Sequence, residues 1–238
     1  MNWSQVICNI LINLCSSFLF VGFIGILLWL IYCQELSDAR RFFGFKRQTQ
    51  VYISAHEDKD TVSRAVVTAV EYEAAVELKN TLRDLSGREF IRRIAGLIGQ
   101  DPKLPEPEIE PSPLDSVNVP VQFESIILIG GPLRNQLTKF YATQQTPLLK
   151  FDEGKYLKRV EGQYQEIGDS KINAILVKMI LESQVVFFVF GDGEEHTKCA
   201  AKYLAENWRE LGNRFTGQAF GICLSVTNGK AKKEKIVL

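Results

Sequence analysis

The groups in this chain that could do chemistry gather at three corners, each closing an apolar run. VYIS leads to Ser54-Ala55-His56. SIILI ends in Gly130-Gly131-Pro132, with Arg134 and Asn135 behind it, and VVFFVF stops at Gly191-Asp192-Gly193 before Glu195, His196 and Thr197. Glycine lets a backbone approach a ligand closely, and the free N–H groups of a following helix favour an anion. On that chemistry Thr197 caps its helix or hydrogen-bonds a phosphate, and Arg134 pairs with one. The species expected at Ser54, His56, Gly130, Gly131, Arg134, Asn135, Gly191, Gly193 and Thr197 is a nucleotide, with no resident cofactor. Each corner also has an architectural reading. Gly-Gly-Pro after a strand makes a tight turn, GDGEEHT caps a helix with Glu194 and Glu195 matching its dipole, and His56 is a solvated side chain in a polar loop. The same acids repel a phosphate. Neither GxGxxG nor GxxxxGK[ST] is present, so ordinary dinucleotide or P-loop binding is disfavoured.

The whole composition narrows the field. In 238 residues there is room for one medium domain and an appendage. Twenty-eight basic and 28 acidic residues cancel, leaving no global field to attract long nucleic acid. Two histidines give metal ligation or histidine catalysis little material. Cys8, Cys15 and Cys33 lie in or beside the N-terminal apolar segment, and Cys199 and Cys223 are isolated. That pattern argues against a zinc site and a secreted disulfide framework, and for a reducing cytosol around the polar part. An enzyme built from this material would use a carboxylate, with Glu195, Asp192 or Glu57 as acid or nucleophile.

From Val6 to Tyr32 there is no charge. Roughly 20 apolar residues cross a bilayer as a helix, and this run is too long for a cleavable leader and lacks a basic start. Trp29 and Tyr32 resemble an interfacial belt. Nothing basic precedes the span, whereas Arg40, Arg41, Lys46 and Arg47 follow it, so the N-terminus is expected outside and the remainder in the cytosol. Asn9, Asn13, Ser16 and Ser17 fall on one helical face in the outer half. Such a face suits self-association of spans, or it sits near the headgroups and needs no partner.

The remaining elements must position the three corners. Residues 1–33 read as the transmembrane helix, 34–50 as a juxtamembrane connector and 51–226 as the cytosolic domain, with 227–238 a solvated basic tail. Apolar positions from Val62 to Leu82 predict an amphipathic helix over Thr61–Leu85, and a short helix is expected at Glu89–Ile98. Six of the eight prolines fall in 100–121, read as a surface loop. Strands are expected at 51–54, 125–129, 172–180, 185–190 and 218–226, helices at Asn135–Thr143 and Thr197–Gly212, and short β-ribbon at 148–169 with turns at Gly154, Gly162 and Gly168. Apolar strands separated by helices imply an α/β fold with a mainly parallel, Rossmann-like three-layer sheet. Right-handed crossovers would bring the three corners to one edge.

VYISAHEDKD, residues 51–60, resembles the opening strand and loop of a TIR domain. The segments EYEAAVELKNTL and GGP do not continue that pattern, and no catalytic glutamate is assigned by it. A lone N-terminal span joined to a Rossmann-like domain with glycine-ended strands also resembles membrane effectors of prokaryotic antiviral systems, in which a CARF or related domain reads a nucleotide second messenger. The resemblance implies a homo-oligomeric sensor-effector that binds a nucleotide or cyclic oligonucleotide and alters the bilayer through its spans. A TIR-like nucleotide- or NAD-processing enzyme and a ligand-free membrane scaffold are the alternatives.

Overall fold

The apolar N-terminus forms one helix, α1 (Trp3–Phe43), whose 41 residues extend about 60 Å. This computed structural model describes residues 3–44, 49–54, 56–57, 65–86, 107–112, 125–144, 147–152, 155–181, 184–215 and 217–237. The side chains of Asn9, Asn13 and His56 lie outside that description, as do Glu57's side chain, the turn at Gly154, the helix expected at Glu89–Ile98 and most of the proline-rich stretch.

Two regimes share α1. Between Phe18 and Ile31 most of its large apolar side chains stand exposed, Leu19 at 76 %. The segment Ser16–Phe43 is long and apolar enough to cross a membrane. From Tyr32 onward the pattern becomes one-sided: Tyr32, Leu36, Ala39, Phe42 and Phe43 are buried at helical spacing. The connector expected at 34–50 is thus, as far as Phe43, the last turns of the same helix, seated in the domain. The helix ends where Gly44 takes φ 78° and donates its N–H to the Arg40 carbonyl at 2.8 Å. A Cβ at Gly44 would lie 2.5 Å from a Val185 methyl, so both conformation and space demand glycine.

After α1 the chain runs β1 (Thr49–Ile53), β2 (His56–Glu57), β3 (Ala65–Val66), α2 (Ala69–Ser86), β4 (Glu108–Pro111), β5 (Ser125–Ile129), α3 (Gln136–Gln144), β6 (Leu149–Asp152), β7 (Lys155–Val160), β8 (Gln163–Glu166), β9 (Ala174–Ile180), β10 (Val185–Gly191), α4 (Glu194–Arg214), β11 (Phe220–Thr227) and β12 (Lys230–Val237). Seven strands form the main sheet in the order β12-β11-β9-β10-β5-β1-β4. β10, with Val186 to Phe190 buried, occupies its centre, as its apolar run predicts.

The sheet is mixed rather than mainly parallel and Rossmann-like. β4, β1, β5 and β10 pair in parallel, but β9, β11 and β12 join antiparallel, as do all described pairings in the two smaller sheets. The reason is connection length. Ile180 reaches Val185 through four residues closed by Leu181 N–H to the Gln184 carbonyl at 2.8 Å, too short for a parallel crossover. Asn228-Gly229, with φ 52° and 71°, likewise turns β11 into β12. The tail expected to be solvated is therefore an edge strand, its lysines suiting an unpaired margin. Two further boundaries differ. Ala65–Val66 is strand rather than helix, and the proline-rich stretch contributes β4 at the opposite edge, where Pro111 is tolerated.

Helices α1, α2 and α4 cover one sheet face over Val51, Ile127, Phe187 and Ile222. The other face carries Ile126, Leu128, Phe188 and Val177 beneath α3 and the β6–β8 ribbon, through Leu137, Tyr141, Leu149 and Tyr156. The layers number three, and the third is part helix and part β-ribbon. Glu161-Gly162, at φ 50° and 85°, makes the ribbon's turn.

Candidate functional site

The three corners do meet at one sheet edge. Ser54 N–H donates to the Ile129 carbonyl at 3.1 Å and Gly130 N–H to the Val189 carbonyl at 3.0 Å, so the carboxyl ends of β1, β5 and β10 lie side by side. From β1 the chain crosses through α2 to β4 on one side, whereas β5 lies on the other. Such a reversal opens a crevice outside the strand ends. A cleft of about 540 Å³ lies there, lined by Gly131–Arg134, Phe151, Phe190, Gly191–Thr197 and one residue from α2, Glu71.

Four glycines divide into two kinds. At Gly130, φ is 104° and a Cβ would fall 1.8 Å from Ser54 Oγ and 2.9 Å from Glu71 Oε1. A Cβ on Gly191 would meet His196 Cβ at 2.4 Å and the Asn173 carbonyl at 2.9 Å. Packing alone requires these two. Gly131 has only Phe190 within reach, at 3.7 Å, and Gly193 has nothing within 4 Å, so both border the cleft with room beside them.

The remaining expected residues also separate. Asn135 is fully buried and occupied: its amide donates to the Ile129 carbonyl and its Oδ1 accepts the Thr138 N–H, both at 3.0 Å, which caps α3. Thr197 Oγ1 accepts the Gly191 N–H at 3.0 Å and donates to the Gly193 carbonyl at 3.1 Å, closing the corner upon itself. Arg134 pairs with Glu194 across the mouth at 2.9 Å, both side chains well exposed. Ser54 is buried, and its hydroxyl donates to the Ile129 carbonyl at 3.5 Å. His56 contributes backbone to β2.

Glu71 is the residue that the corner-based reading misses. It is 3 % exposed, yet its Oε2 has no hydrogen-bond partner. Burial pushes its carboxyl above the ordinary glutamate range, Glu194 adds to the rise, and the Ser54 and Thr68 hydroxyls and Arg134 oppose it. Its position follows from the local sequence. Thr68 caps α2, accepting the Glu71 N–H at 3.3 Å, and Thr68-x-x-Glu71 is a capping-box spacing. A carboxyl raised in this way stays protonated higher in pH, where it both donates and accepts. His196 Nδ1 is a second buried, unpartnered atom among the lining residues.

Phe151 and Phe190 form an aromatic wall, their centroids 6.2 Å apart at 74°, with Tyr156 stacked behind Phe190. Burial drives the Tyr156 hydroxyl far above its ordinary pKa, and Asp192 adds to the rise. The cleft combines an apolar aromatic wall, a buried carboxyl and a rim bearing Asp192, Glu194 and Glu195. It suits a ring with hydroxyl groups better than a bare phosphate. Among the described residues no group of three or more His, Cys, Asp or Glu side chains is arranged to hold a metal ion. The buried thiols of Cys199 and Cys223 are both pushed up by burial, which makes them poor nucleophiles.

Compared with known proteins, the chain matches no family model and no curated sequence.

Far from the cleft, α4 meets α1. Phe42 packs 6.5 Å from the Trp208 ring and against Gly212, whose Cβ position is 3.5 Å from it, and Arg209 pairs with Glu35. Phe42 also stacks on Phe220 at 6.1 Å and approaches Phe187 at 5.4 Å. One helix of 21 residues, about 30 Å long, thus has its first turn on the cleft and its last turns on the base of α1.

Proposed function

We propose that this chain is a membrane-anchored sensor-effector. Its N-terminal helix crosses the bilayer with the domain in the cytosol, and a nucleotide in the cleft changes how α4 holds α1. The spans of associated copies then rearrange and alter the membrane. The observation that carries this reading is the continuity of α4 from the cleft to the base of α1. A ligand acts through such an element only by binding two packings with different affinity. The aromatic wall and the buried Glu71 supply a stacking surface and a partner for ribose hydroxyls.

A second reading, a nucleotide-processing enzyme, is favoured by Glu71 itself, since a buried carboxyl of raised pKa beside a cleft is the kind of group general acid catalysis uses.

Dye-loaded vesicles carrying the full chain separate the two. Addition of mono-, di- and cyclic nucleotides is expected to release dye with one of them while its concentration stays constant. Trp208→Leu should keep ligand binding and lose release. Consumption of the nucleotide, abolished by Glu71→Gln, would establish the enzyme instead. Silence with every nucleotide would overturn both.

A further inference from the structure

A second cleft of about 460 Å³ adjoins the first. The two share Pro132, Leu133 and Phe151, so the Gly131–Arg134 turn and one aromatic ring form the sill between them. Leu133 stands on that sill 84 % exposed, apolar with nothing covering it.

Their charges differ in sign. The first cleft is lined by Glu71, Asp192, Glu194 and Glu195 against Arg134, and Arg134 is already engaged by Glu194. Lys139 and Lys150 line the second, against Asp152. Lys150 lies 4.4 Å above the Tyr164 ring and 3.0 Å from Asp152, an arrangement that holds its ammonium over the cleft wall. Tyr164 is fixed in turn by its hydroxyl, which donates to the Pro147 carbonyl at 2.7 Å.

From this juxtaposition we infer that the two clefts are subsites for one bipartite ligand, a nucleoside phosphate, and the inference rests on the nucleotide reading of the first cleft. The uncharged nucleoside end occupies the first cleft, its ring against Phe151 and Phe190 and its hydroxyls toward Glu71. The phosphate cannot share that space with the acidic rim, and it crosses the sill to Lys139 and Lys150. Phosphate there displaces Asp152 from Lys150. Orientation is thereby set by charge: the same ligand reversed would place its anion against the acidic rim of Asp192, Glu194 and Glu195.

The test measures binding to the full chain in detergent micelles, using the four ribonucleosides and their 5′-mono- and diphosphates as probes. At least one nucleoside is expected to bind, and its phosphates to bind tenfold or more tightly. Lys139→Ala/Lys150→Ala should erase that increment while leaving the nucleoside's affinity unchanged. Asp152→Asn should enlarge it, because Lys150 is released from its ion pair. Equal binding of nucleoside and phosphates, or an increment that survives the double lysine variant, would overturn the second subsite while the nucleotide reading of the first cleft stands. Absence of binding by every probe would overturn both.

Discussion

The parallel and antiparallel halves of the main sheet do different things. Strands β4, β1, β5 and β10 point the same way, so their carboxyl ends gather at one edge and leave a cleft where the order reverses. Strands β9, β11 and β12 alternate, so no comparable gathering of strand ends arises. Their contribution is a surface. Lys178 on β9 stands between Phe187 on β10 and Phe220 on β11, and the base of α1 is seated over them through Phe42. The comparison teaches that strand direction divides labour within one sheet: parallel strands build a concavity, and the adjoining antiparallel strands carry the helix that leaves the domain. β10 and α4 belong to both.

Perturbing each half separately tests the division. Trp208→Ala, at a buried ring against Phe42, should cost about 3–5 kcal/mol and loosen the seat. Cleft affinity in the folded fraction should change little; a large loss of affinity with an intact seat would show that the halves are not separable. Gly130→Val should cost about 2–4 kcal/mol through its φ of 104° and the collision with Ser54. Its effect should fall on ligand binding, with hydrogen exchange around Phe42 unaltered.

Lys178 sharpens the picture of the seat. It is 1 % exposed, its Nζ has no hydrogen-bond partner, and it lies 4.7 Å from the Phe42 ring centroid. Burial lowers its pKa from 10.5 to about 8. Between those values the unfolded chain binds a proton that the folded one does not, so stability should rise with pH from about 8 to about 10.5 and be insensitive to this group below. Lys178→Met should stabilise at pH 7 by about 1–3 kcal/mol and flatten that rise. Thermal unfolding of both proteins at pH 7 and pH 10 measures it. A destabilised methionine variant would mean that the ammonium on Phe42 stabilises the seat. The smallest effect is expected from Arg134→Ala. Its pair with Glu194 is exposed on both sides, and its loss should shift stability by under about 1 kcal/mol.

Much of the parallel half is legible in the sequence because β1, β5 and β10 are buried on both faces. SIILI and VVFFVF admit little else, and the shared edge follows from strand direction. The antiparallel half is harder to read. KAKKEKIV carries five charges in its first six residues and looks like a solvated tail, yet Asn228-Gly229 just before it is a strong hairpin signal. Four residues between Ile180 and Val185 likewise leave room only for an antiparallel return. Glu71 is hidden for a different reason. Inside the helix expected at Thr61–Leu85 an acid at position 71 reads as part of a solvated face, and only the Thr68-x-x-Glu71 spacing marks the true helix start. The burial of Glu71 depends on Ser54 and Gly130, distant in sequence. The double phenylalanine after Arg40-Arg41 has the same difficulty: it looks like a membrane-surface segment until Trp208 and Phe220 are placed against it.

The most direct test of the proposed coupling between the halves is hydrogen exchange on the full chain in lipid nanodiscs, with and without whichever nucleotide the binding assay finds. Ligand is expected to change protection at residues 190–197 and also at 36–43 and 208–213, about 20–30 Å along α4. A change confined to the cleft residues would contradict transmission through α4, leaving a ligand site and a membrane anchor that share a sheet without communicating.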